Sequence, residues 1–413
     1  MKVKHFILFS FIAMLWSSCN KDDSDYEIIS IATPELMSKA EFRSSVEVLG
    51  PQNIEEAGKI YAYKDFIFVN DALKGIHIID DSNPENPQAK AYLKIPGNVD
   101  ISVKNNYLYA DSAIDLVVFD ISDINNIVFV NRLEDVFSVY DHQIPEGVEY
   151  ADYSGFDFNS EVIVGWEIKQ ERRLKNNDDN RLINVVAFSE ASNMDGARVG
   201  QGGSLARFQI VNNYLYTVGS YEMAIFNIQN SAQPALANTQ YSGWNIETMF
   251  QADGYLYLGS TNGMYIYSLS NPALPEFVSQ FTHWEGCDPV VVDGDYAYVT
   301  LRGGNACGQQ ESVLEVIDIK DKANPTLAAR YELVNPYGLG VKDNLLFVSD
   351  GTAGLKLFNK ADPLNIKLIK QFQAIQAKDV IPLNDILLMI GENMLYQYEY
   401  KNNDIYLISE YQL

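Results

Sequence analysis

The pentapeptide NNYLY stands at residues 105–109 and again at 212–216, and each copy leads into an apolar run, DLVVFDI first and EMAIFNI second. The phrase belongs to a longer series. Equivalent anchors begin at Phe66, Tyr107, Tyr214, Tyr255, Tyr296, Leu345 and Ile386, with successive spacings of 41, 107, 41, 41, 49 and 41 residues. A period this regular means that one supersecondary unit is stacked many times, each copy burying its apolar face against the next.

Every unit carries the same punctuation. The two residues before each anchor are mostly Asn, Asp or Gly, as in Asn105-Asn106, Asn212-Asn213 and Asp253-Gly254. These residues tolerate positive φ, which two-residue hairpins need to match the twist of their strands. Apolar residues recur six and four positions before most anchors, as at Ile101 and Val103, so the turn joins two strands. A third strand follows in GIHIID, DLVVFD, GMYIYS and VLEVID, then a polar turn often ending in Pro, then an outer strand such as LAARYEL. Proline cannot donate to a ladder, which suits that turn. Four antiparallel strands per unit and seven anchors predict an all-β fold: a seven-bladed β-propeller of four-stranded antiparallel blades. Eight blades are the alternative if the 107-residue interval hides a degenerate blade within 134–203. Closure of the ring has two readings: EFRSSVEVL at 41–49 pairs with the last blade as an outer strand, or the C-terminal IYLISEYQL completes that blade.

GIHIID and DLVVFD, with the Asn/Asp-rich turn and proline behind them, resemble the LVIVD-repeat proteins, as do NPENP, IPGNVDISV and YADS. The resemblance runs over residues 42–413 and weakens in the last two units, LKLFNK and LYQYEY. It implies a secreted or lipid-anchored bacterial propeller. It implies no chemistry.

Residues 1–18 read as a targeting segment: Lys2 and Lys4, then FILFSFIAMLW, then small residues before Cys19. The apolar stretch is too short for a stable bilayer span. The segment resembles a bacterial lipoprotein signal, which implies lipidation of Cys19, although Trp16 stands where that pattern prefers Leu. The acidic NKDDSD that follows resembles the export signal of surface-exposed lipoproteins. The expected location is therefore the outer membrane, lipid-anchored and facing outward, with a periplasm-facing anchor as the alternative. Residues 19–40 are expected to form a flexible tether and 41–413 a single propeller domain with an insertion at 134–203. With net charge −25 and a pI near 4.4, the surface repels phosphate backbones, so nucleic acid is not expected as a partner.

Propeller topology assigns faces to the irregularities. The first strand of a blade lines the channel and runs from the top face to the bottom, so blade-to-blade links and the loops between second and third strands lie on top. The two intervals that exceed 41 place their extra residues in such positions: the 134–203 insertion, and RGGNACGQ in the fifth unit. Loops on a rigid frame carry binding, so the top face is the expected functional one. Within the insertion, EVIVGWEIKQ and RLINVVAF are expected to form a hairpin with a charged tip, and VGQGGS to return the chain through a flexible, glycine-rich bend.

Candidate ligand-binding residues gather on that face. Trp166 lies in the insertion, and Trp244 and Trp284 lie in successive links; flat indoles suit stacking on sugars or packing beneath a cap. Seven positions before the anchors stand Lys59, Asp100, Arg207, Thr248, Pro289, Gly338 and Asp379, preceded in two units by Glu247 and Asp288. At the channel mouth these would form a ring of mixed charge, able to hold a polar ligand or to satisfy its own members. Cys287 and Cys307 both fall on the top face in a compartment that permits disulfides, so a bond between them is expected, contributing about 3 kcal/mol in the chain-entropy model. The three histidines beyond the signal, at 77, 142 and 283, fall in no metal-ligand spacing, and neither HExxH nor Gly-x-Ser-x-Gly is present. No cofactor, metal or catalytic residue is therefore expected. The reading that results is a cell-surface binding or scaffolding propeller for a glycan or a partner protein. Its alternatives are a polysaccharide-acting enzyme using channel-mouth carboxylates and a subunit of an envelope complex docked through the insertion.

Overall fold

The structure is a computed structural model and describes residues 26–139, 144–145, 148–175, 181–184, 200–283, 289–303 and 311–413. Seven four-stranded meanders occupy residues 57–94, 101–133, 208–241, 246–282, 290–332, 339–372 and 379–412, here blades 1 to 7. Their innermost strands touch in cyclic order, the strand Ala57–Tyr63 of blade 1 meeting both Ile101–Lys104 of blade 2 and Asp379–Pro382 of blade 7. Segment 134–203 adds no further meander to that cycle among the described residues.

The hairpin chemistry read from the sequence is present at the turns between first and second strands. Asn105 and Asn106 both have positive φ, as do Lys64, Asn212, Asp253, Gly254, Gly294 and Asp343. The residue that closes the third strand has its own task. Asp80, Asp120, Asn227, Asp318 and Asn359 each accept a hydrogen bond from the backbone N–H two residues on, and Ser268 does the same through its hydroxyl. That local bond turns the chain before the proline and explains the Asp or Asn ending each LVIVD-like run. In every blade the pairing of third and outer strands slips by one residue, as between Ile78 and Ile79 or Val316 and Ile317. Such bulges sharpen strand twist.

The third residue of the anchor is the core position. Phe68, Tyr109, Tyr216, Tyr257, Tyr298 and Phe347 are almost wholly buried. Tyr109 donates to the carbonyl of Ser231 and Tyr216 to that of Pro272, each at 2.8 Å. Each hydroxyl reaches the polar turn of the next blade, so the tyrosines fasten neighbours as well as fill space.

Two expectations are corrected outside the ring, and one open choice is decided. Residues 26–38 are not a tether: Tyr26–Ser38 is a strand with Ile29, Ile31 and Ala32 buried, and it runs into the helix Lys39–Ser44, capped by Ser38. Among the described residues the insertion does not form the expected hairpin. Glu161–Leu174 pairs antiparallel with the N-terminal strand, from Tyr26 opposite Leu174 to Ser38 opposite Glu161, while Leu182–Asn184 pairs with Tyr150–Asp152. These strands form one mixed sheet, hereafter the arm. Its N-terminal strand spans about 40 Å at the usual rise. Of the two readings of ring closure, the second holds: residues 41–49 are not an outer strand of the last blade. Glu47–Leu49 pairs with the outer strand of blade 1, and Asp404–Gln412 completes blade 7, so the ring closes without exchanging a strand.

A buried ion network fixes the arm's base to blade 2. Asp115, fully buried, receives Arg43 Nε and Nη2 at 2.9 and 3.0 Å, Arg132 Nη1 at 2.8 Å and the Asp135 N–H at 2.8 Å. Phe42 packs beside it with Ile114 and Val162.

Candidate functional site

The charged positions expected at the channel mouth are buried inside the channel. Lys59, Asp100, Arg207, Thr248 and Asp379 are all nearly inaccessible, as is Glu247. Lys59 Nζ lies 3.3 Å from Asp100 Oδ2. The same oxygen accepts the backbone N–H groups of Arg207 and Phe208, the latter at 3.1 Å. Asp100 thereby ties together the first strands of blades 1, 2 and 3.

The channel itself is filled by the returning insertion, which corrects the expectation that VGQGGS is a flexible bend. Gln201 and Gly202 pair with Ala62 and Tyr61 as an extra strand inside blade 1. Gly200 N–H bonds to Val103 of blade 2 at 2.8 Å, and Gln201 Nε2 to Pro382 of blade 7 at 2.9 Å. Ser204 donates through both N and Oγ to Asp379 Oδ1, each at 2.9 Å, and its Oγ accepts Leu339 N–H of blade 6. The glycines are required by space. A Cβ on Gly203 would sit 1.9 Å from Asp379 Oδ2, and one on Gly338 2.1 Å from Oδ1. Asp379 Oδ2 finds no hydrogen-bond partner. Burial pushes this carboxyl up to about 7, against the lowering effect of the Val380 and Ser204 hydrogen bonds.

With the axis plugged, the accessible concavity lies off it. A cavity of about 100 Å³ opens on the top face between blades 2 and 3, beneath the arm. Three of the sequence candidates line it, Asp100 and Arg207 from the blades and Trp166 from the arm, and Phe137 and Phe208 line it as well. Trp166 also makes an edge contact with Tyr153, centroids 5.8 Å apart. Two further lining carboxylates escaped the sequence reading, Asp111 and Glu222. Asp111 follows the anchor YLYA directly, and its strand position gave no sign that it faces a cavity. Its Oδ1 accepts Val99 N–H, Asp100 N–H and Asn98 Nδ2 at 2.8–2.9 Å, whereas its Oδ2 has no partner among the described residues. Burial pushes this carboxyl up to about 7; the amides of Asp100 and Val99 oppose that, the charge of Asp100 adds to it, and Lys59 lowers it.

Trp244 stands apart from the cavity, 54% exposed, in edge contact with the exposed Tyr221 at 5.3 Å. Trp284, Asp288, Cys287, Cys307 and Cys19 lie outside the described residues, so their expected roles, the disulfide included, have no structural account here. Among the described residues no group of three His, Cys, Asp or Glu could hold a metal ion.

The family model "LVIVD repeat" matches residues 56–92, 97–135, 252–283 and 287–332. These segments fall on blades 1, 2, 4 and 5. No curated protein matches the chain. Among solved structures, the chain is similar to a protein from Lactobacillus plantarum at 11% identity and a TM-score of 0.51, covering 88% of this chain and 94% of that one. BamB from Moraxella catarrhalis aligns at 10% identity and a TM-score of 0.47, over 89% of this chain and all of that one. Sequence identities this low speak for the fold alone. Repeats and sheet order agree: the chain is a β-propeller that carries LVIVD repeats.

Proposed function

We propose that this propeller is a surface-held binding module whose recognition site is the top-face cavity between blades 2 and 3, roofed by the arm. The observation that carries this reading is how the arm is built. The ring closes without residues 26–38 or the insertion, yet these two separate stretches combine into one sheet that is bolted to blade 2 and contributes Ile163 and Trp166 to the cavity. Loops and additions on a rigid frame are where binding is carried. A catalytic reading draws no support from Asp100 and Asp379, because both carboxylates are spent on holding the channel together.

The expected lipid anchor fits the same picture. Cys19 is seven residues before Tyr26, so a lipid on it would lie within about 25 Å of the arm's outer end. The arm would then stand between the membrane and the ring. A glycan array and a pull-down with the chain from residue 20 test the function, using Trp166→Ala and Trp244→Ala as probes. Retention of every ligand and partner by both variants would refute the top-face site. Radiolabelled palmitate incorporation and protease access in whole cells test the location. A Cys19→Ser variant that stays membrane-bound would refute the anchor.

A further inference from the structure

We propose that the cavity between blades 2 and 3 binds a small protonated amine, its ammonium group on Asp111 and its apolar body against Phe137, Phe208 and Trp166. This rests on the top-face site above and names the class of ligand that site takes.

The argument starts from what the walls offer. Asp111 Oδ1 is saturated by three donors, which fixes the carboxylate in one orientation. Asp111 lines the cavity, and its Oδ2 has no donor among the described residues. A second carboxylate, Glu222, stands at the exposed mouth and makes no side-chain hydrogen bond or ion pair among the described residues. The facing cations are already engaged. Lys59 lies on Asp100, and Arg207 Nη2 donates to the Ile246 carbonyl at 3.1 Å. An anion entering here would meet Asp111, Glu222 and Asp100. A sugar would need several polar partners, and most of the wall is apolar or aromatic. A cation gains a charge-assisted hydrogen bond from Asp111 and the faces of nearby rings. A cavity of about 100 Å³ admits a group of few heavy atoms, in keeping with an alkylammonium or the end of a basic side chain.

The protonation chemistry points the same way. Burial and Asp100 hold the Asp111 carboxyl up near 7, so its charged form is short of a counterion. Asp100, Lys59, Arg207 and Glu222 are the charged groups that face it from blades 1 to 3. An ammonium would supply the missing partner, drawing the proton off Asp111. Amine affinity should therefore rise with pH up to about 7 and level off above it.

The test uses 3-methylbutylamine with 3-methylbutan-1-ol and 3-methylbutanoate, matched in shape and differing in charge. Each is titrated into the full mature chain and followed by saturation-transfer NMR. The amine is expected to bind at least tenfold more tightly than the alcohol, and the carboxylate not to bind. Asp111→Asn keeps the acceptor for Val99 and Asp100 and removes the charge; it should bring amine affinity down to that of the alcohol and flatten the pH profile. Glu222→Gln, on an exposed side chain that folding does not need, should weaken the amine two- to threefold and leave the alcohol unchanged. Alcohol or carboxylate binding as tightly as the amine would overturn this inference while leaving the site standing. An amine affinity unchanged in both variants would do the same. Binding of none of the three would overturn the site as well.

Discussion

Asp379 offers the sharpest test of the plugged channel. Its carboxyl ionises near 3.8 in an unfolded chain and near 7 in the folded one, chiefly because of burial. Between those values the folded protein holds a proton that the unfolded chain has released. Stability contributed by this group is therefore complete below about 4, falls as pH rises, and is lost above about 7. At about 1.4 kcal/mol per pH unit the interval corresponds to at most about 4 kcal/mol. Asp379→Asn keeps an acceptor for Ser204 N and Oγ but cannot ionise. Its amide protons replace an oxygen that has no partner, a cost of about 1 kcal/mol at every pH. Urea unfolding of both proteins at pH 4, 5, 6, 7 and 8.5 should then cross between pH 4 and 5: wild type slightly more stable at pH 4, the variant more stable by about 3 kcal/mol at pH 8.5. Asp111 and all other groups titrate alike in both proteins and cancel in the difference. Two curves that stay parallel from pH 5 to 8.5 would mean that Asp379 is not a buried, charge-starved carboxyl, and the plug as described would be wrong.

Gly203→Ala puts a methyl 1.9 Å from Asp379 Oδ2 and should cost about 1–3 kcal/mol by denaturant titration. Gly254→Ala, with nothing within 4 Å, supplies a control that strains only a turn. Tyr109→Phe removes the bond to the Ser231 carbonyl and should lower stability by about 1 kcal/mol, with a lower melting temperature in calorimetry. Arg43→Ala takes two hydrogen bonds from buried Asp115, which keeps Arg132 and one backbone donor. It should cost about 2 kcal/mol and speed limited proteolysis within residues 26–44 while the ring resists.

The parts of this fold that could be read from the sequence are those whose causes are local. A two-residue turn needs positive φ, and Asn105-Asn106 supplies it within the turn itself. The bond from Asp318 to the N–H of Lys320 spans two residues and recurs with the period, so it leaves a mark at every LVIVD-like run. The parts that stayed hidden depend on partners far along the chain. Tyr26–Ser38 carries Pro34 and a bulge at Glu35, which break its alternation, and its partner strand lies more than a hundred residues away. The bulges of the outer strands fall at ordinary residues such as Ile225 and Phe226, with no glycine or proline to announce them. Gly200–Gly203 gave the most misleading signal. Glycines imply freedom when nothing else is known, and here they are present because Tyr61 and Asp379 leave no room for a side chain. The inward placement of Lys59, Asp100, Arg207 and Asp379 follows from the period alone, but their state does not, since the plug decides which of them is paired.

Closure of the channel has a consequence for where recognition can occur. In an open propeller the axis is the natural site, because all blades converge there. Here Gln201–Ser204 bonds to blades 1, 6 and 7, so among the described residues the Ala62 and Tyr61 backbone, Leu339 N–H, Pro382 C=O and Asp379 Oδ1 are already engaged, and Gly203 lies against Asp379 Oδ2. The same chain that seals the axis also carries the strand Glu161–Leu174, which roofs the lateral cavity. Plug and roof are two ends of one insertion, and Asp100 touches both systems, capping the strand start at Arg207 and lining the cavity. Lys59 lowers both the Asp111 and the Asp379 carboxyls, but neither carboxyl is among the groups that act on the other. The off-axis site and the plug are therefore separable: in the Asp379→Asn protein amine binding should keep both its pH dependence and its maximum affinity, and a shift in the pH dependence would show that the two carboxyls are coupled.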